Sequence, residues 1–418
     1  MNLLRVGSLN GFAVIVRSAV SLTITKLCAV ALGPSGFVGL GNVQTVTSLW
    51  MGLSNGTLYN SVTRLLAEPG GADAKRQVIT TGVTAAVVIG VLLAPLTWLV
   101  ARQAIGDSLG GTDRTVLADL IAASCPLVAV GSVLTGYFNG SQRLNALVAG
   151  NVLASGLTLL AAIFLIHEMG SLGALLTAVA ASVTPCVAYV CIFISNRSAR
   201  TELHEAQATK LVDWEILGKM APYIWTALAS AVAAPTTVYV VRWLLVEHVG
   251  SVQAGNWQGV WRLSTLYTGP LTATFSVYLI PRFASIVSIP LLRAELRRCV
   301  LLVVVGMGLI AVSVLPWRKE LVHLVLSQSF AGAAPLIPLQ LLGDSLKLVG
   351  WIMGFLLLSK GAIRQYVVGE VLFTIAFIAI TAALVNSLGV GAAVAAYVLS
   401  YLLYVIFCLY ASRRAGLV

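Results

Sequence analysis

Apolar runs of helix-spanning length, separated by short polar breaks, fill this chain from one end to the other. A bilayer core takes roughly 20 apolar residues in helical form, at a rise of about 1.5 Å per residue. That ruler predicts about twelve membrane-spanning helices. They lie near 6–32, 37–66, 77–101, 115–138, 146–166, 171–195, 216–245, 252–280, 296–316, 333–358, 365–385 and 389–411. The longest polar break, from Asn196 to Glu215, follows the sixth run. It divides the chain into a first lobe at 1–200, a linker at 201–215 and a second lobe at 216–418. Each lobe holds an even number of spans and starts from the same side. Any repeat is then parallel, about an axis along the membrane normal. Gly41-Asn42-Val43-Gln44 and Gly255-Asn256-Trp257-Gln258 occupy corresponding places in the two lobes. Each follows a glycine, Gly33 or Gly250, which itself follows Lys26 or Arg242, and this echo points to a duplicated six-helix unit. The expected fold is all-α, a polytopic bundle of two six-helix lobes.

Charge orients the bundle. Expected outer loops hold only Arg102, Arg114, Arg318 and Lys319, whereas Arg5, Arg64, Lys75, Arg76, Arg143, Arg197, Arg200, Lys210, Lys219, Arg282, Arg293, Arg297, Arg298, Lys360, Arg364, Arg413 and Arg414 fall on the other side. By the positive-inside rule both termini are cytoplasmic. Composition agrees: 58% of the 418 residues are hydrophobic and 10% charged, against about 25% charged in soluble domains. The net charge of +11 then reflects topology and contact with anionic membrane lipids, not nucleic acid. The first run carries Arg17 and Lys26 and has no clean cleavage site, so it reads as a permanent span. The six cysteines lack CxxC spacing and read as small core hydrophobes.

Within the spans lie five basic residues, Arg17, Lys26, Arg242, Arg262 and Lys347, and few acids, chiefly Asp344 and Glu370. Charge at membrane depth is expensive and marks a functional site or a structural pairing. The excess of positive charge points to a site that holds an anion. In the eighth span Gly255, Gln258, Arg262 and Thr265 define one polar face, flanked by Trp257 and Trp261. Arg262 falls roughly 15 Å from the outer end, near the midplane. An arginine there can hold a phosphate bidentately, and neighbouring indoles can stack on sugars. The alternative is an arginine paired to a neighbouring helix. In the tenth span Gln340, Asp344, Lys347 and Trp351 follow helical spacing. Asp344 and Lys347 are three residues apart, so they either neutralise each other or leave Lys347 for an anion. Asn55 and Tyr59 belong to an uncharged strip in the second span, suited to sugar hydroxyls or to interhelical hydrogen bonds. Arg17 and Lys26, nine residues apart, face nearly opposite ways on a straight helix. Arg242 lies near the outer end of its span, where snorkelling is the alternative to guiding a ligand. Glu370, two turns into the eleventh span, is a candidate with Asp344 for coupling to H+ or Na+.

Other chemistries are absent from the pattern. There is no phosphate-binding GxxxxGK[ST] loop, and His167, His204, His248 and His323 lack metal-ligand spacing, so neither cofactor nor metal is expected. No expected outer loop is long enough for a catalytic domain.

Several stretches resemble the Wzx-type lipid-linked oligosaccharide flippases of the multidrug/oligosaccharidyl-lipid/polysaccharide (MOP) exporter superfamily, in particular those for enterobacterial common antigen. They are Lys26 to Gly36, Asn60 to Thr63, Gly255 to Val260, Thr274 to Pro281, Gln340 to Lys347, and Glu370. The resemblance implies a MATE-like V of two six-helix lobes that works by alternating access in the bacterial inner membrane. It also implies a substrate carried on undecaprenyl pyrophosphate, moved from the cytoplasmic to the periplasmic leaflet, and contact with a downstream polysaccharide polymerase complex. Lys26, Arg242, Asp344, Lys347 and Glu370 match charged positions of that pattern, and Arg17 stands where a basic residue is expected. Trp261-Arg262 departs from the small polar residues expected there, as does Thr265 from an acid. Those departures fall on the proposed glycan-binding face. Such a protein is a transporter, not an enzyme. The rival readings are a MATE-like multidrug exporter and, with less support, a membrane glycan polymerase or ligase.

Overall fold

The computed structural model describes residues 3–68, 71–105, 111–196 and 210–417. Among these the chain is helical throughout. The elements are α1 (Leu3–Ser54), a π-helical turn (Asn55–Tyr59), α2 (Asn60–Ala67), α3 (Ala72–Ile105), α4 (Gly111–Gly140), α5 (Leu144–Ser195), α6 (Trp214–Met220) and α7 (Pro222–Val249). Then come α8 (Ser251–Ser285), α9 (Ile289–Val314), α10 (Arg318–Val325), a 3-10 segment (Gln328–Leu336), α11 (Ile337–Ser359), α12 (Ile363–Leu388) and α13 (Gly391–Arg414). The expected linker at 201–215 lies outside the described residues as far as residue 209.

Eight helical stretches are long and apolar enough to cross a membrane. Two of them hold two spans each, because α1 and α5 bend sharply at Gly33 (φ 61°) and Gly170 (φ 54°). That left-handed backbone suits glycine, which has no Cβ to clash. The arms of α5 are tied by the Thr158 and Thr184 hydroxyls, 2.7 Å apart, and by Tyr189, whose hydroxyl donates to the Leu147 carbonyl at 3.1 Å. With α7 (28 residues) and α8 (35 residues) added, the described helices accommodate the twelve spans read from the sequence. Large apolar side chains face outward along them, Leu92, Leu309 and Val312 among them. Hydrocarbon accepts such a surface and water does not.

The chain divides into two compact units: residues 1–31 with 39–236, and residues 32–38 with 237–418. In the first unit the core gathers Trp50, Tyr137, Phe138 and Tyr189 with Val62, Cys125 and Val133. The Trp50 indole N–H donates to the Cys125 carbonyl at 2.9 Å, which satisfies the polar atom of the largest core side chain. In the second unit α11 supplies glycines where α13 supplies rings: a Cβ at Gly343 would collide with Tyr397, and one at Gly350 with Tyr404. Small residues opposite large ones let these helices approach closely. That approach brings the Tyr397 hydroxyl to Asp344.

Candidate functional site

The second unit builds its polar centre from three helices. Asp344, on α11, is 0% exposed. Its Oδ1 accepts from the Ser264 hydroxyl at 2.7 Å, the Tyr397 hydroxyl at 2.9 Å and the Gln340 amide at 3.2 Å. Its Oδ2 accepts from the Tyr267 hydroxyl. Ser264 and Tyr267 sit on α8, three residues apart, and Tyr397 on α13. One carboxylate therefore joins α8, α11 and α13. Four donors on one buried carboxylate satisfy its acceptor positions where water is scarce.

A second acid stands on the neighbouring helix. Glu370 of α12 accepts from the Tyr404 hydroxyl at 3.0 Å. Tyr397, Tyr401 and Tyr404 lie on one face of α13, with ring centroids 5.0 Å and 6.2 Å apart along the row. Its two ends serve Asp344 and Glu370. The sequence reading singled out both acids but missed Ser264, Tyr267 and the tyrosine row. The spacing of 397, 401 and 404 along the last span was the available signal.

Lys347 is not joined to Asp344 by an ion pair among the described residues. Its ammonium lies over two indole faces, 4.8 Å from the Trp351 ring centre and 5.8 Å from that of Trp261. Trp261 is held by Trp257 (5.6 Å), Tyr397 (5.3 Å) and Phe377 (6.2 Å, stacked). Trp261, Trp351, Lys347 and Asp344 are thus brought together. Arg262, half-buried, follows Trp261 on α8, and its carbonyl accepts from the Thr265 hydroxyl at 2.8 Å.

Trp257 and Gln258 are buried, and so is Arg242, at 2% exposed. The Arg242 Nε donates to Gln258 Oε1 at 2.9 Å, so these two read-out residues serve each other across α7 and α8. Substituting Gln258 by Leu is expected to cost about 1.5–3 kcal/mol, the range for a hydrogen bond to a charged group. A thermal melt of the purified variant checks it, and an unchanged midpoint would show that the pair contributes nothing.

In the first unit the π-helical turn carries both Asn55 and Tyr59. Asn55 Oδ1 accepts from Ser132 at 3.0 Å, and the Tyr59 hydroxyl accepts from Asn139 at 2.8 Å. The strip therefore makes interhelical bonds to α4, while Asn55 also stays exposed. Such turns leave the regular ladder locally and often mark functional positions. Arg17 is exposed and Lys26 half-buried. Among the described residues no three His, Cys, Asp or Glu side chains gather where they could hold a metal ion.

No family model matches the chain. It is 25% identical over 414 residues to a protein named Lipid III flippase from Escherichia coli (strain K12), covering 98% of this chain and 97% of that one. The protein of the same name from Shigella flexneri matches equally. Among solved structures, an inward-facing multidrug resistance MATE family transporter of the MOP superfamily superposes with a TM-score of 0.75, at 13% identity, covering 97% of this chain and 98% of that one. Lipid II flippase MurJ, in its inward closed conformation, superposes with a TM-score of 0.71, at 11% identity, covering 98% of this chain and 87% of that one. The fold of this chain is the one these transporters share.

Proposed function

We propose that this protein is a multi-pass flippase of the bacterial inner membrane, moving a lipid-linked oligosaccharide between leaflets. The observation that carries this reading is the end-to-end sequence likeness to proteins named Lipid III flippase. In its finer form the substrate is an undecaprenyl-pyrophosphate oligosaccharide of the enterobacterial common antigen or O-antigen type. The protein carries it from the cytoplasmic to the periplasmic leaflet by alternating access. The lobes are 1–200 and 216–418, with both termini in the cytoplasm.

The physical problem is to move a pyrophosphate and several sugars through hydrocarbon, where unpaired charge and bare polar groups are costly. Basic side chains on the spans lower that cost for the headgroup, while the polyprenyl tail stays in lipid. Arg17, Lys26, Arg262 and Lys347 are assigned to the anion, with Arg242 and its partner Gln258 near the outer end of α7. Asn55, Tyr59, Trp257, Trp261 and Trp351 are assigned to the glycan. The partly exposed Trp261 and Trp351 are better placed for this than the buried Trp257. Asp344 and Glu370 are assigned to coupling with H+ or Na+, and a downstream polysaccharide polymerase complex is the assigned partner.

The test is exchange of a labelled undecaprenyl-pyrophosphate oligosaccharide between leaflets of liposomes containing the purified protein. Arg262→Ala is expected to slow exchange by about tenfold or more, the loss that follows removal of one charge-assisted hydrogen bond. Equal rates at equal protein content would remove Arg262 from the headgroup site. A lack of exchange by the unaltered protein, with several glycans and with imposed ion gradients, would sink the flippase reading.

A further inference from the structure

Lys347 combines burial with an unusual set of neighbours. It is 7% exposed, and its ammonium rests on the faces of Trp351 and Trp261. Asp344, one helical turn away, makes no ion pair with it, because four donors on α8, α11 and α13 already surround that carboxylate. An ammonium removed from water needs compensation, and the negative faces of two indoles supply part of it. Two ring faces with an acid nearby form a cage of the kind that recognises quaternary ammonium ions and flat aromatic cations. In this protein the cage is already filled, by a side chain of the same unit.

We propose that Lys347 is the built-in occupant of an aromatic cation cage, and that it excludes organic cations from this unit. One wall of the cage is held independently of its occupant: Trp261 is packed against Trp257, Phe377 and Tyr397. It is not sealed either, since Trp261 and Trp351 both keep partial exposure. With Lys347 in place its ammonium occupies both indole faces. Without it, two vacant indole faces remain one helical turn from Asp344, a composition suited to a cation. One position then separates two kinds of cargo on one fold. The inference goes beyond the substrate reading and does not depend on it.

The experiment is equilibrium dialysis of tetraphenylphosphonium and of ethidium against the purified full-length protein in detergent. The unaltered protein is expected to bind both cations only weakly. Lys347→Ala is expected to bind at least about tenfold tighter, the scale of seating a cation on two indole faces. Adding Trp351→Ala to that variant should abolish the gain. Binding by Lys347→Ala no tighter than by the unaltered protein overturns the proposal, as does a gain that survives Trp351→Ala. If Lys347→Ala does not fold, Lys347→Ser vacates the indole faces in the same way, and a failure of that folded variant to gain affinity is equally decisive. Leaflet exchange on the same preparations separates the two readings. Slowed exchange with no gain in cation affinity makes Lys347 an anion contact only and overturns the cage. A gain in cation affinity supports the cage whether or not exchange survives.

Discussion

Gly255→Ala is expected to remove most of the folded protein from the membrane. A Cβ added at Gly255 would overlap the carbonyl oxygen of Pro34, deep inside van der Waals contact. Both partners are backbone, so no side-chain rotation relieves the clash. Pro34 is also not free to retreat: it belongs to the short segment 32–38 that packs in the second unit, where Phe37 meets Phe330 edge to face at 5.3 Å. Overpacking a well-packed core costs about 1–3 kcal/mol when side chains can adjust. Here they cannot, and the cost lies above that range. The matched control is Gly269→Ala on the same helix, where an added Cβ meets nothing within 4 Å. That change should be neutral or slightly stabilising, because Ala favours helix over Gly by about 1 kcal/mol. Fluorescence-detected size exclusion of the two variants decides the matter. A monodisperse Gly255→Ala peak, as large and as heat-resistant as the control, would show that α8 and Pro34 can separate freely.

The same glycine shows where sequence reasoning reached and where it stopped. Span number and spacing were legible, because the bilayer imposes a length that apolar runs must meet, and the breaks at Gly33 and Gly170 fell where two runs met. The charges within the spans were legible too, because hydrocarbon makes each one conspicuous. Direction was not. Gly255, Gln258 and Arg262 share one stripe of α8, but a helical period gives angles about its own axis and does not say which neighbour each angle meets. In the folded unit Gly255 meets backbone and Gln258 meets Arg242. Asp344 and Lys347 were open to pairing by their spacing. Donors from two other helices took the carboxylate, and two indoles took the ammonium. The tyrosine row of α13 was hidden by its surroundings: three phenols on an apolar span barely change its hydropathy, and their use as donors depends on acids distant in sequence.

Asp344→Ala is expected to have the largest effect of any change to a polar side chain in the second unit. It would leave the hydroxyls of Ser264, Tyr267 and Tyr397 and the Gln340 amide without the acceptor they share. A buried donor stripped of its partner costs about 1–3 kcal/mol. Four together reach the scale of an ordinary domain's whole stability, about 5–15 kcal/mol. Asp344→Asn keeps one acceptor oxygen but turns an NH2 toward hydroxyls that were donating, so it should fall between Ala and the unaltered protein. Tyr397→Phe removes a single donor and leaves the carboxylate three, for a loss of about 1 kcal/mol. Thermal midpoints should therefore drop least for Tyr397→Phe, more for Asn and most for Ala. If Tyr397→Phe proved as damaging as Ala, the carboxylate would not be the hub that joins α8, α11 and α13. The Asn variant also bears on coupling, since it removes the charge while retaining much of the packing. Folded Asp344→Asn protein that exchanges lipid-linked oligosaccharide without responding to an imposed H+ or Na+ gradient would place ion coupling at this carboxylate. A response equal to that of the unaltered protein would leave Asp344 with the task of holding three helices together.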